Sequence, residues 1–224
     1  MGEVHVFQHI QAPYRKSLIY TRLGYEKKNT LLEPERRKQM DRWIREAELL
    51  CNVTVIYKKV CIKVNDRCVI IPEGITLEST SLAKLLGNSE EAVIMASTGG
   101  YDIMNQIQRL QDMDEMARAL VYDTAASEIT DAGLDWLMAY LKQQLTREGQ
   151  TLTHMRYSPG YGDLKLYNQI VFYNQLELGK AGVKITPKYM LIPEKTVTAI
   201  VGIQKGRLKL ASKQGGDGND KTPV

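Results

Sequence analysis

The residues of this chain best suited to bind an anionic group lie in one glycine-rich loop, Arg-Tyr-Ser-Pro-Gly-Tyr-Gly at positions 156–162. Arg156 carries a planar guanidinium that can hold a carboxylate through two parallel hydrogen bonds. Pro159 restricts the backbone, whereas Gly160 and Gly162 permit conformations that other residues avoid. We therefore predict a tight loop that offers a cation and backbone groups to a ligand.

The neighbouring segments predict how this loop is positioned. Residues 152–155 indicate a short extended segment, and Asp163 can cap a helix that runs through Leu166 and Leu176. A helix that begins here would direct unpaired N–H groups and a positive dipole end toward an anion. The alternative is that the Pro-Gly pair only makes a turn and that the arginine is only solvated.

The spacing Arg-x-x-x-Gly-Tyr from Arg156 to Tyr161 resembles the S-adenosylmethionine motif in the activation domain of cobalamin-dependent methionine synthase. Other segments resemble the same domain in the same order along the chain: residues 96–100, 123–128, 182–186, 189–193 and 196–202. The resemblance extends over roughly residues 3–202. It implies an α+β fold in which an antiparallel sheet is flanked by helices.

The resemblance also implies where S-adenosylmethionine binds. The implied site consists of the Arg156 side chain, backbone groups around Ser158 and Gly160, the ring of Tyr161 and the carboxylate of Asp131. Arg156 would bind the methionyl carboxylate. Asp131 would contact the adenosyl group, but an alignment shifted by one helical turn would select Glu128 instead.

The function implied by the resemblance is the reductive reactivation of a corrinoid, cobalamin, that a partner protein holds. An electron from a flavodoxin-like or ferredoxin-like reductase and a methyl group from S-adenosylmethionine would restore methylcobalt after accidental oxidation to cobalt(II). The methyl acceptor, cobalt(I), is itself a strong nucleophile, so the chain only has to place the sulfonium methyl group. We expect no catalytic side chain and no complete active site in this chain alone.

Two departures from the family keep other interpretations open. Residues 22–25, which match an N-terminal ligand contact of the family, contain no carboxylate. The modules that bind homocysteine, methyltetrahydrofolate and cobalamin are also missing, so a separate corrinoid protein or the other modules of a split enzyme must be the partner. The chain could instead be a non-catalytic module that docks on a corrinoid protein. A methyltransferase with another acceptor is a weaker alternative, because the usual glycine-rich nucleotide loop is missing.

Composition restricts the class of protein. The chain has 224 residues and a net charge of +4, and we expect one domain over residues 1–204 and a disordered tail over residues 205–224. The basic residues form no stripe with interleaved aromatics, so no nucleic-acid partner is expected. No apolar run is long enough to span a membrane and no secretory signal is visible, so a cytoplasmic location is expected.

Cysteines and histidines number three each and lack metal-ligand or disulfide spacing. We therefore expect no protein-bound metal. Cys51 and Cys61 stand among apolar residues and are predicted to fill the core.

Hydrophobic patterning predicts the elements that position the loop. Residues 53–64 and 68–71 indicate a β-hairpin, and residues 91–96 a buried strand. A helix is expected from Pro34, and a long one from about residue 113 to residue 147. Because strands and helices do not alternate regularly, the pattern favours an α+β fold over a doubly wound sheet.

Overall fold

The computed structural model describes residues 2–25 and 33–206, which form six helices and ten strands. The helices are α1 (Lys16–Arg22), α2 (Pro34–Leu50), α3 (Thr80–Leu86), α4 (Tyr101–Asp112), α5 (Met116–Arg147) and α6 (Gln169–Gln175). The strands are β1 (Val4–Phe7), β2 (Thr54–Cys61), β3 (Lys63–Asn65), β4 (Cys68–Ile71), β5 (Ile75–Glu78), β6 (Glu91–Thr98), β7 (Gln150–Leu152), β8 (Lys184–Ile185), β9 (Leu191–Ile192) and β10 (Thr196–Lys205). The strands of these ranges pair only in antiparallel fashion, which confirms the predicted α+β class.

The centre of the fold is a five-stranded sheet in the order β1-β2-β6-β10-β7. Strand β6 is its middle strand and pairs with β2 on one side and with β10 on the other. Its apolar run is buried on both faces, which explains why this strand shows no alternation of apolar and polar residues. Two smaller sheets, β3-β4-β5 and β8-β9, lie outside it.

Helices and the three-stranded sheet cover the two faces of the central sheet. On one face lies α5, whose stripe of Leu134, Leu137, Leu141 and Leu145 is buried, with α1, α2 and α4 packed around it. On the other face, α3, α6 and the sheet β3-β4-β5 enclose a second apolar cluster. The sheet thus separates two apolar cores, and the side chains of a strand at its edge can point to either face.

Three details differ from the sequence prediction or extend beyond it. The run 53–64 divides at Ile62 into β2 and β3, which belong to different sheets. The Ile62 amide still donates to Glu90 O, just before β6, at 2.9 Å. The prediction that Cys61 fills the core is wrong, since this side chain points outward from the end of β2 next to buried Val60. Of the predicted tail, Lys205 ends β10, and residues 207–224 lie outside the described residues.

No helix within residues 2–25 and 33–206 is long and apolar enough to cross a membrane. The same ranges contain no group of three or more histidine, cysteine, aspartate or glutamate side chains arranged to hold a metal ion.

Candidate functional site

The segment that carries Arg156 is held along the edge of the central sheet. After β7, the Thr153 amide donates to Gly202 O at 2.9 Å, and Tyr157 and Ile200 exchange backbone hydrogen bonds of 2.9 and 2.8 Å. These bonds keep the segment extended beside β10. Because side chains alternate along an extended segment, Arg156 points toward α5, whereas Tyr157 packs into the cluster on the opposite face.

The turn that follows is closed by its own backbone. The Gly160 amide donates to Leu164 O at 2.8 Å, and the Tyr161 amide donates to Ser158 O at 3.2 Å. Gly160 has a φ of 89° and Gly162 a φ of 51°, in the left-handed region that favours glycine. Both glycines are therefore required by the turn, and the Gly160 amide is used within it.

Asp163 binds the start of α3 and does not cap the helix after the loop, so that sequence prediction is wrong. Its carboxylate accepts hydrogen bonds from Ser79 Oγ at 2.5 Å, the Ser81 amide at 3.1 Å and the Tyr157 hydroxyl at 3.2 Å. These bonds, led by that of Ser79, lower the pKa of Asp163 below its usual range. Helix α6 begins further along the chain, after a short 3-10 turn, and is out of reach.

The side chain of Arg156 lies between two aspartates of α5. Its Nη2 donates to Asp131 Oδ1 at 2.7 Å, and its Nη1 donates to Asp135 Oδ1. The arginine side chain is 20% exposed, while those of Asp131 and Asp135 are 41% and 62% exposed. Burial disfavours the charged guanidinium, but the hydrogen bonds and charges of the aspartates outweigh it and raise the pKa of Arg156. The result is a permanently charged arginine held by two carboxylates that face solvent.

Of the two acidic residues that the resemblance left open, Asp131 lies beside Arg156 and Glu128 does not. Glu128 is 8% exposed, and its Oε2 lies 3.1 Å from Nη2 of Arg22 in α1. The N–H groups of Arg22 do not point at this oxygen, so the contact is an ion pair without a hydrogen bond. Burial raises the pKa of Glu128; the charge of Arg22 opposes this shift and that of Asp131 adds to it.

The structure brings two of the five implied site residues into direct contact, Arg156 and Asp131. The other three form the adjacent turn: Ser158, Gly160 and Tyr161. The ring of Tyr161 is 70% exposed and free to lie against a bound molecule. Sequence reasoning missed Asp135, although its spacing of four residues after Asp131 places both carboxylates on one face of a helix.

A second ion pair lies on the same face of α5, before Asp131 in the chain. Lys195 Nζ donates to Ser127 Oγ at 2.9 Å and lies 2.7 Å from Asp123 Oδ1. The lysine side chain is 12% exposed, so this pair ties the start of β10 to the helix. No local pattern marks Lys195 in the sequence, because its partners come from a different element.

The glycine pair after β6 is explained by packing. The Gly99 amide donates to Lys195 O at 2.7 Å, and a Cβ added to Gly99 would lie 2.8 Å from Thr130 Oγ1 of α5. Gly100 has a φ of 82° and turns the chain into α4. Close packing against α5 and the turn into α4 therefore account for both glycines.

A cleft at one end of the central sheet lies away from the loop. It has a volume of about 650 Å³ and lies at the ends of β6, β7 and β10, where Glu90, Gln150 and Lys205 line it. Its lining includes none of the five implied residues. The arrangement around Arg156 is therefore separate from this cleft.

The fold that presents this site matches a known structure. The chain superimposes on the crystal structure of the MetH reactivation domain bound to AdoHcy, with a TM-score of 0.69 and 12% sequence identity. The match covers 89% of this chain and 78% of that one. This chain has the fold of the MetH reactivation domain. No family model and no curated protein sequence matches it.

The match to the MetH reactivation domain confirms, at the level of the fold, the resemblance that the Arg156 loop and its ordered neighbours indicated. At 12% identity the two sequences share few positions. The resemblance was visible only in short segments, which lie in the Arg156 loop, near strand ends, within α5 and within β10.

Proposed function

We propose that this chain binds S-adenosylmethionine and supports the reductive methylation of a corrinoid, such as cobalamin, held by a partner protein. The contact between Arg156 and Asp131 carries the proposal, because it joins the cation of an Arg-x-x-x-Gly-Tyr loop to a helix carboxylate. The fold around that contact is shared with a domain crystallised with AdoHcy. AdoHcy is what remains of S-adenosylmethionine after the methyl group has left.

The charges beside the loop fit those of the proposed ligand. S-adenosylmethionine has a carboxylate, an ammonium and a sulfonium. A guanidinium has five N–H groups, so Arg156 can bind the ligand carboxylate with those that do not contact the aspartates. The exposed carboxylates of Asp131 and Asp135 can face the two cationic groups, and the ring of Tyr161 can lie against the adenine.

The proposed role of the chain is to bind and orient the methyl donor. S-adenosylmethionine would supply the methyl group as an activated sulfonium, and a reduced corrinoid needs no base to accept it. Fixing the two reactants in line can lower a barrier by about 7–11 kcal/mol. In the same proposal, a corrinoid-binding protein or the modules of a methionine synthase is the partner. A flavodoxin-like or ferredoxin-like reductase is the electron donor, and the cytoplasm is the location.

Calorimetric titration with S-adenosylmethionine tests the proposal. We expect saturable binding to the wild type and a loss of roughly 2–4 kcal/mol in Arg156→Ala, because a desolvated charge pair is removed. Arg156→Lys keeps the charge but loses the planar fork, so its affinity should lie between the two. Arg147→Ala serves as the control, because it removes an exposed arginine at the C-terminal end of α5, far along the helix from Asp131. Unchanged affinity in Arg156→Ala would exclude this residue from the site.

A second function, docking on a corrinoid protein without S-adenosylmethionine, is favoured by two observations. The Arg156 guanidinium already has two carboxylate partners within the chain, and Arg22 rather than an acidic residue approaches α5 from the N-terminal helix. This alternative predicts that a corrinoid protein binds equally well with and without S-adenosylmethionine. Heat of S-adenosylmethionine binding that appears only when the corrinoid protein is present would instead indicate a site completed by the partner.

A further inference from the structure

The two aspartates beside Arg156 are only partly used by it. Each accepts a hydrogen bond from the guanidinium through Oδ1. Within residues 2–25 and 33–206, no donor contacts the Oδ2 atom of either carboxylate. Asp135 is the more exposed of the two, at 62% against 41% for Asp131. The Oδ2 atom of each carboxylate is thus available to a cationic group from solution.

This arrangement selects against a ligand that presents a carboxylate alone. Such an anion would have to approach Arg156 while lying within a few ångströms of two negative aspartates, and like charges at that distance repel. A positive group attached close to the carboxylate removes the repulsion and gains a charge-assisted hydrogen bond. An α-amino acid has such a group, because its ammonium is bonded to the carbon that bears the carboxylate.

We propose that Asp135 binds the α-ammonium of the ligand while Arg156 binds its carboxylate, so that the site is specific for a zwitterionic amino-acid group. The inference rests on the proposed function and adds a specificity-determining residue to it. Asp135 is assigned rather than Asp131 because its carboxylate is the more exposed. The shared guanidinium brings both groups of the amino acid within reach of one side-chain pair.

A purely structural role for Asp135 makes a different prediction. If Asp135 only orients Arg156, its replacement should weaken every ligand that uses the arginine by the same factor. If Asp135 binds the ammonium, its replacement should weaken only ligands that have one. Asp135→Asn suits this test, because the amide oxygen can still accept the hydrogen bond from Arg156 while the charge is lost.

The experiment compares two ligands by calorimetry: S-adenosylhomocysteine and its analogue that lacks the α-amino group, 5′-S-(3-carboxypropyl)-5′-thioadenosine. The wild type should bind the first about 10- to 100-fold more tightly, the range expected for a hydrogen bond to a charged group. In Asp135→Asn this ratio should fall to less than about threefold. Asp123→Asn makes the same charge change on the same helix at the Lys195 pair and should keep the wild-type ratio. Thermal melting of each variant checks that it is folded.

Each other outcome has one meaning. Equal affinity of the two ligands for the wild type would overturn the inference and leave the proposed function standing. An unchanged ratio in Asp135→Asn, with both ligands weakened alike, would overturn the assignment of Asp135. If neither adenosyl ligand bound, even with a corrinoid protein present, the proposed function would fail and the inference with it.

Discussion

Gly133 of α5 and Ser97 of β6 lie so close that a Cβ atom added to Gly133 would stand 2.3 Å from Ser97 Oγ. This contact sets the distance between the helix and the central sheet. Asp131 and Asp135 lie two residues to either side of Gly133 in the sequence. The position of both carboxylates relative to Arg156 therefore depends on a residue without a side chain.

Substituting Gly133 with alanine should destabilise the protein although alanine is the better helix former. The new Cβ would also lie 3.1 Å from Val53 Cγ1, so the helix must move away from the sheet. Overpacking of this kind lowers the free energy of unfolding by about 1–3 kcal/mol. Urea denaturation measures the change, and the affinity for S-adenosylmethionine should fall with it because Asp131 moves.

Two further variants isolate the cause. Gly87→Ala places a methyl group where φ is −54° and the nearest atom is 3.4 Å away, so stability should stay constant or rise. Combining Gly133→Ala with Ser97→Ala removes the closest atom and should restore part of the loss. Full stability in Gly133→Ala alone would contradict the close approach of α5.

The bonds of Asp163 to α3 should make the stability of the protein depend on acid pH. The folded state lowers the pKa of this carboxyl, so its contribution is present above the unfolded value near 4 and is lost as the pH falls through the lower, folded value. Asp163→Asn should therefore be less stable than the wild type at pH 7. Urea midpoints at pH 7 and pH 3 measure the difference, which should shrink at pH 3. A difference that stayed constant would show that the carboxylate charge is not involved.

The hydroxyl group of Tyr122 in α5 connects this helix to α2. This group, on a side chain that is 1% exposed, donates to Glu46 Oε2 of α2 at 2.7 Å, and Arg118 Nη2 binds the same oxygen at 2.8 Å. The bond from Tyr122, together with the hydrogen bond and the charge of Arg118, lowers the pKa of Glu46.

Tyr122→Phe removes no apolar packing, but it removes two hydrogen bonds: the one donated to Glu46 and the one of 3.1 Å that the hydroxyl accepts from Arg118 Nη2. We expect the free energy of unfolding at pH 7 to fall by about 1.5–3 kcal/mol, the value for a hydrogen bond to a charged group. The loss should diminish as the pH falls through the lowered pKa of Glu46, because the charged acceptor disappears. Chemical denaturation of both proteins tests this, and equal stability at pH 7 would be inconsistent with the bond.

The contribution of Glu128 to stability should change with pH in the direction opposite to those of Asp163 and Glu46. Because burial raises its pKa, the folded state binds a proton more tightly than the unfolded state, and stability is lost as the pH rises through the folded value. Glu128→Gln has no charge to bury, and it gives up the ion pair with the half-exposed Arg22. The wild type should therefore lose stability relative to Glu128→Gln between pH 4 and pH 7, as followed by thermal melting. A relative gain over this interval would mean that Arg22 outweighs burial.

Several features of the protein follow from local sequence, because local forces determine them. Proline at the tolerated first position starts α2 at Pro34, and a helical stripe of leucines defines the buried face of α5. The Arg-x-x-x-Gly-Tyr spacing identifies the loop, because its glycines are needed at left-handed positions. These features depend on neighbours within a few residues, so they are visible before the chain is folded.

The partners of the charged side chains were decided by the tertiary structure alone. Asp163 looks like the cap of the next helix, yet it binds Ser79, 84 residues away in the sequence. Arg156 meets Asp131 and Asp135 only because the segment after β7 runs along β10 and because Gly133 lets α5 approach the sheet. A hydrogen bond requires its two groups within about 3 Å. That distance depends on the order of the strands and on the separation between α5 and the sheet. Both arise from contacts between elements and leave no local pattern in the sequence.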